Sequence, residues 1–247
     1  MIGICSVTFR KKGPLEMIQM AVKAELDGIE WGGDIHVPHG DTAAAESVKR
    51  LSKEAGLCVM SYGSYYTLCK KDLNFKNVLD TAISLEAPNI RIWAGNISPM
   101  KADDDDYKRA ADELQSICQR AIESEITISL EFHRNTLTQT AESTLCLINM
   151  ADSPNLFTYW QPNPDIKDNE SELKNILPSL TNMHVFHWIK NEQDGSDKRC
   201  DLQDGTDDWK RYIEIAGTDR NYLLEFVKND LEENFYRDAE TLRRMIK

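Results

Sequence analysis

Short apolar runs alternate along the chain with longer stretches in which apolar positions recur every three or four residues. The first pattern reads as buried strands and the second as amphipathic helices. Strands are expected at residues 2–6, 28–31, 57–61, 89–93, 127–132, 156–160, 182–187 and 222–226. Helices are expected at 14–26, 42–55, 108–124, 208–216 and 231–246, and near 73–85, 141–151 and 170–177. Pro14 suits the opening turn of the first helix, and Gly56 suits the residue that ends the second. No linker or low-complexity tract interrupts these eight β–α units, so residues 1–247 are expected to form one domain.

Alternating strands and helices imply a parallel sheet joined by right-handed crossovers. Eight units in 247 residues match the size of a (β/α)8 TIM barrel. A doubly wound open sheet is the alternative. Its nucleotide-binding form lacks support here, because neither G-x-G-x-x-G after the first strand nor G-x-x-x-x-G-K-[ST] occurs.

Two stretches nearly repeat each other. Ile128-Ser129-Leu130-Glu131-Phe132-His133-Arg134-Asn135 and Tyr222-Leu223-Leu224-Glu225-Phe226-Val227-Lys228-Asn229 each plant one carboxylate in an apolar strand. Such a carboxylate is costly unless a metal, a cation or a shared proton compensates it. Two strands delivering two glutamates to one place point to an enzyme.

Composition narrows the classes. Hydrophobic content of 41% and charged content of 28% are those of a soluble globular protein. A net charge of −12 argues against nucleic-acid binding. No apolar run approaches the roughly 18 residues of a membrane span, and no secretory leader is visible, so a cytoplasmic location is expected. The six cysteines include no C-x-x-C pair and read as reduced thiols.

In a barrel of this kind chemistry gathers at the C-terminal strand ends. All five histidines fall there, as do Glu30, Arg91, Trp93 and Gln161. Each alone has a structural reading: a satisfied histidine, a salt-bridged glutamate, a packed tryptophan. The acidic run at 103–106 fits a helix N-terminus better than a metal site. The paired strand glutamates, with a histidine strand between them, tip the balance toward function.

Gly28-Ile29-Glu30-Trp31-Gly32-Gly33-Asp34-Ile35-His36, Ile90-Arg91-Ile92-Trp93-Ala94-Gly95, Leu130-Glu131-Phe132-His133, Tyr159-Trp160-Gln161-Pro162-Asn163, His184-Val185-Phe186-His187-Trp188 and Leu224-Glu225-Phe226 together resemble the sugar phosphate isomerase/epimerase group of the xylose isomerase-like barrels. The resemblance spans nearly the whole chain. It implies one divalent metal ion (Mn²⁺, Mg²⁺ or Co²⁺, with Zn²⁺ also compatible) held by Glu131, Gln161, His184 and Glu225. Gln161 stands where many relatives carry Asp, which removes one charge from the ligand set. The implied activity is isomerisation or epimerisation of a sugar or sugar phosphate, with Glu131 and Glu225 moving the proton. Glu30, His36, Arg91, Trp93, His133, His187 and Lys190 are candidates for binding or orienting the substrate. A lyase dehydrating a cyclic polyol and a non-catalytic sugar-binding barrel are the alternatives. A phosphodiesterase of abasic DNA would need more metal ligands and a basic groove. Self-association into a homo-oligomer is left open.

Overall fold

The structure is a computed structural model that describes residues 1–70 and 73–247. Eight parallel strands close into a barrel: β1 (Ile2–Cys5), β2 (Gly28–Gly32), β3 (Cys58–Thr67), β4 (Asn89–Trp93), β5 (Thr127–Leu130), β6 (Leu156–Trp160), β7 (Leu180–Val185) and β10 (Asn221–Leu224). Closure is through β10 and β1, with Ile2 opposite Tyr222 and Ile4 opposite Leu224. Around it lie α1 (Pro14–Lys23), α2 (Thr42–Glu54), α3 (Phe75–Leu85), α4 (Asp104–Ile122), α5 (Ala141–Ala151), α6 (Asn169–Ile176), α7 (Thr206–Ala216) and α8 (Glu232–Ile246). This is the (β/α)8 barrel expected from the alternation. Among the described residues, no helix is long and apolar enough to cross a membrane.

Local chemistry sets the helix starts. The Asp41 carboxylate accepts the Ala44 N–H at 2.9 Å, and Asp168 accepts that of Ser171 at 2.9 Å. The acidic run opens α4: Asp103 and Asp106 cap each other's backbone N–H groups, and Arg109 pairs with Asp106. Pro14 occupies the first turn of α1.

Strand parity sorts the side chains. Ile4, Ile29, Trp31, Ile90, Ile92, Ile128, Leu130 and Leu224 are buried in the main core shared with the helices. Their neighbours, including Cys5, Glu30, Ser61, Arg91, Tyr159 and His184, fill the barrel interior and are equally buried. Met60 and Leu223 join them there, so the interior mixes polar and apolar groups, and the helix-facing layer carries most of the hydrophobic stabilisation.

Four strands depart from expectation. β5 and β10 end one residue before their glutamates, so Glu131 and Glu225 follow the strands instead of lying in them. Each still makes a ladder bond, Glu131 N–H to Ile92 O at 2.9 Å and Glu225 N–H to Val185 O at 3.0 Å. The chain then turns, with Phe226 at φ 50°. β3 runs to Thr67 and carries a bulge in which Tyr65 has φ 57°. β7 stops at Val185, and an antiparallel hairpin, β8 (His187–Lys190) with β9 (Asp197–Cys200), rises from the barrel mouth before α7. Phe186, between β7 and the hairpin, gives its carbonyl to Trp209 Nε1 at 2.8 Å instead of to a ladder.

Asp238 on α8 is buried, and its Oδ1 accepts the Leu202 N–H at 3.0 Å. Burial raises its carboxyl to about 6 although the Leu202 bond favours the charged form. The folded protein therefore binds more protons than the unfolded chain between about pH 4 and pH 6. Stability conferred by this group is full below that window and falls as pH rises through it. Relative to wild type, Asp238→Asn should gain stability as pH rises from 4 to 7, by up to roughly 3 kcal/mol. Urea unfolding of both proteins across that range measures the difference; parallel pH profiles would assign the dependence elsewhere.

Candidate active site

One guanidinium organises the upper barrel. Arg91, on β4, is fully buried, with Nε and Nη2 each 2.9 Å from Glu30 Oε1 and Nη1 paired with Glu131 Oε2. Glu30, on β2, also accepts Ser61 Oγ at 2.6 Å and Tyr159 Oη at 2.8 Å on its second oxygen. Asn182 Nδ2 in turn donates to Tyr159 Oη at 2.5 Å. Burial opposes charge on Glu30, but Arg91, His184 and Ser61 outweigh it and hold the carboxyl well below its usual range. The space for this pair exists because position 63 has no side chain. A Cβ there would stand 2.6 Å from Arg91 Nη2 and 2.8 Å from Glu30 Oε1.

Above this pair, four groups face one point. His184 Nδ1, on β7, lies 2.9 Å from Gln161 Oε1, 3.5 Å from Glu225 Oε2 and 3.7 Å from Glu131 Oε1. His184 Nε2 lies 3.8 Å from Glu30 Oε1, beyond hydrogen-bond reach. Burial, with Glu30 close by, pushes the Cys5 thiol and Tyr159 phenol well above their ordinary values, so both are neutral. Three buried carboxylates against one guanidinium then leave two negative charges uncompensated, counting the imidazole as neutral. A divalent cation would balance them. Bonds of about 2.0–2.2 Å put neighbouring ligand atoms roughly 3.0–3.5 Å apart, close to the spacing observed around Nδ1. The donor set fits such an ion.

An aromatic collar surrounds the mouth. The Trp93 ring lies 6.3 Å from Tyr65 and 4.7 Å from His133, and Trp188 of the hairpin lies 6.2 Å from Phe226. Arg199 covers both Trp188 and Phe226. His133 Nδ1 is 2.7 Å from the Arg134 carbonyl, which places the proton on Nδ1 and leaves the Nε2 lone pair free. Burial lowers the His133 pKa. A cavity of about 600 Å³ opens beside Phe226, lined in part by Val7, Arg10, Lys11, Lys12 and Arg199. A larger one, about 770 Å³, lies outside the barrel around Glu113 and Arg120 and touches none of these groups.

Of the residues singled out in the sequence, the fold brings together Glu30, Arg91, Glu131, Gln161, His184 and Glu225, with Trp93 and His133 at the rim. It does not bring His36, His187 or Lys190 to the cluster. His36 Nε2 lies 3.1 Å from Lys12 O, and its ring packs on Trp31. His187 packs against Gly205, where a Cβ would stand 2.4 Å from its Nδ1. Lys190 Nζ is held by Asp165 at 2.8 Å and Asp197 at 2.9 Å, bracing the hairpin. Ser61, Tyr65, Tyr159, Asn182 and Cys5 were not singled out. Period-two spacing offered a signal for several: Ser61 precedes Gly63 and Tyr65, Tyr159 precedes Gln161, and Asn182 precedes His184.

The sequence profile of the xylose isomerase-like TIM barrel family matches residues 18–245. The chain is 24% identical over 212 residues to the 3-dehydroshikimate dehydratase of Bacillus anthracis, covering 74% of each. Its fold superposes on a solved structure of a probable 3-DHS dehydratase of petrobactin synthesis from Bacillus anthracis. That match has a TM-score of 0.79 at 18% identity over 98% of both chains. A second match is D-psicose 3-epimerase with D-tagatose from Clostridium cellulolyticum H10. It has a TM-score of 0.72 at 13% identity, covering 99% of this chain and 97% of that one. At these identities the two structures establish the likeness of fold.

Removing the shared guanidinium should unbalance the interior. Arg91→Leu is expected to cost about 3–5 kcal/mol, the usual loss when one member of a buried ion pair is left alone. Adding Glu30→Gln should recover part of that loss by removing one unpaired charge. Denaturant unfolding of the single and double variants checks this; an Arg91→Leu protein as stable as wild type would contradict the charge argument.

Proposed function

The chain belongs to the xylose isomerase-like TIM barrel family, and from that premise we propose a divalent-metal-dependent lyase that dehydrates a polyhydroxylated cyclic ketone, with 3-dehydroshikimate as the compound to test. Glu131, Gln161, His184 and Glu225 would hold the ion. When bound, the ion supplies a Lewis acid for the substrate's carbonyl and hydroxyl oxygens.

The observation that carries the lyase reading is the unequal setting of the twin glutamates. Arg91 grips one oxygen of Glu131, which lowers that carboxylate's basicity. Glu225 has no lysine or arginine partner among the described residues. A two-base epimerisation needs matched bases on opposite faces, whereas elimination needs one base that can return its proton. His133 has the geometry for that part, with Nδ1–H tied to the Arg134 carbonyl and Nε2 free. In this reading His133 Nε2 takes the proton α to the ketone as the C=C bond forms. The β-hydroxyl leaves with that proton as water, breaking the C–O bond and restoring neutral His133. The aromatic collar covers the ring and excludes solvent. The basic lining of the 600 Å³ cavity suits a substrate carboxylate. The likeness to dehydratases at 24% identity and at a TM-score of 0.79 supports the same reading.

Isomerisation or epimerisation of a ketose is the second reading, favoured by the placement of both Glu131 and Glu225 within 3.7 Å of His184 Nδ1.

Two measurements follow. Elemental analysis should find about one divalent ion per wild-type chain and a trace in His184→Ala, since loss of a ligand removes most of the affinity. Unchanged metal content in a folded variant would remove His184 from the ligand set. The Mn²⁺-loaded protein should dehydrate 3-dehydroshikimate, read as the rise of aromatic absorbance. His133→Gln should slow this by about 10²–10⁴-fold with metal content unchanged. If wild type leaves that compound intact but exchanges a C–H proton of a ketose in D₂O, the isomerase reading replaces the lyase.

A further inference from the structure

We infer that Cys5 is an additional metal donor in this barrel, supplying a thiolate that favours thiophilic ions such as Zn²⁺ and Co²⁺ over Mg²⁺ and Mn²⁺. This deepens the reading above and rests on its claim that a divalent ion enters the barrel. Cys5 Sγ, one ring nitrogen of His184 and one carboxylate oxygen of Glu225 all lie within 4.8 Å of one another, and all three residues are buried. With metal–sulfur bonds of about 2.3 Å and nitrogen or oxygen bonds of about 2.0–2.2 Å, three donors around one ion stand roughly 3.3–3.9 Å apart. Side-chain adjustments of up to about 1 Å close this triangle on an ion.

His184 is fully buried, with Nδ1 turned to Gln161, Glu131 and Glu225 and Nε2 on the other edge of the ring, toward Glu30. Cys5 itself sits at the end of β1 beside Val7, Met60, Tyr159 and Leu223. Packing there asks only for a small apolar side chain. A sulfur adds the one soft donor to a set otherwise made of carboxylates, an amide and an imidazole, and soft sulfur selects Zn²⁺ or Co²⁺ where oxygen suits Mg²⁺ and Mn²⁺. Coordination replaces the S–H bond with a metal–sulfur bond and releases one proton to solvent. No electron is transferred.

The test uses the full chain stripped of metal and reloaded with Co²⁺, Zn²⁺ or Mn²⁺. Co²⁺ should produce a near-ultraviolet thiolate-to-cobalt charge-transfer band in wild type. The band should vanish in Cys5→Ser and persist in Cys118→Ser, whose thiol is buried on α4 in the outer core. Zn²⁺ affinity should fall at least about tenfold in Cys5→Ser, while Mn²⁺ affinity changes less than about threefold. X-ray absorption at the zinc edge of the unaltered protein gives the same answer without a variant, expecting one sulfur at about 2.3 Å. Co²⁺ or Zn²⁺ bound with no sulfur contact, or a band that survives Cys5→Ser, overturns this inference and leaves the metal reading standing. If no divalent ion binds, both fall.

Discussion

The structure depends on the position of one charge. Arg91 is fully buried between Glu30 and Glu131, and neither carboxylate could stay ionised there without it. The pair also imposes a demand on β3: the backbone must pass so close that only glycine fits at 63. Charge balance, strand packing and the absence of a side chain on a third strand are therefore one constraint. Arg91 additionally fixes how Glu131 presents itself, with Oε2 held and Oε1 left facing His184.

That arrangement divides the labour between the two layers of the barrel. The helix-facing layer is mostly apolar and supplies the burial that stabilises the fold. The interior instead spends side chains on hydrogen bonds, Asn182 to Tyr159 and Tyr159 to Glu30. Such a network stabilises little in net terms, but it leaves each polar group one orientation. A site built this way holds its ligands before any substrate or ion arrives, which is the preorganisation that catalysis by fixed charges requires. The hairpin of β8 and β9 adds a roof. Lys190 of β8 pairs with Asp165 and Asp197 of β9 pairs with Arg134, tying the hairpin to the loops after β6 and β5, and Trp188 closes on Phe226.

The near-identity of the two glutamate strands invites equal roles for Glu131 and Glu225. Their environments differ, because the partner that matters arrives from elsewhere: Arg91 reaches Glu131, and among the described residues no arginine or lysine reaches Glu225. Twin local sequences thus give twin positions without twin chemistry, and the elimination reading grows from that difference.

Hydrophobic periodicity determined the eight units and the barrel class, because strand alternation and helix period are local properties of the chain, and the family resemblance singled out Glu131, Gln161, His184 and Glu225 among the polar strand ends. Even the acidic run at 103–106 is legible as a cap, since capping involves residues three apart. Only the tertiary structure decided the rest. Glu30 and Arg91 meet across β3 from positions 61 residues apart, and nothing in either segment announces the other. His187 and Lys190 look like site residues from their place in the chain, but β7 ends at Val185 and the hairpin carries them to Gly205 and to Asp165. Cys5 reads as a core thiol until β1 sets it beside His184 and Glu225. Local pattern fixes which face a side chain takes; which groups share that face is fixed by closure of the barrel, a long-range event that no short window of sequence encodes.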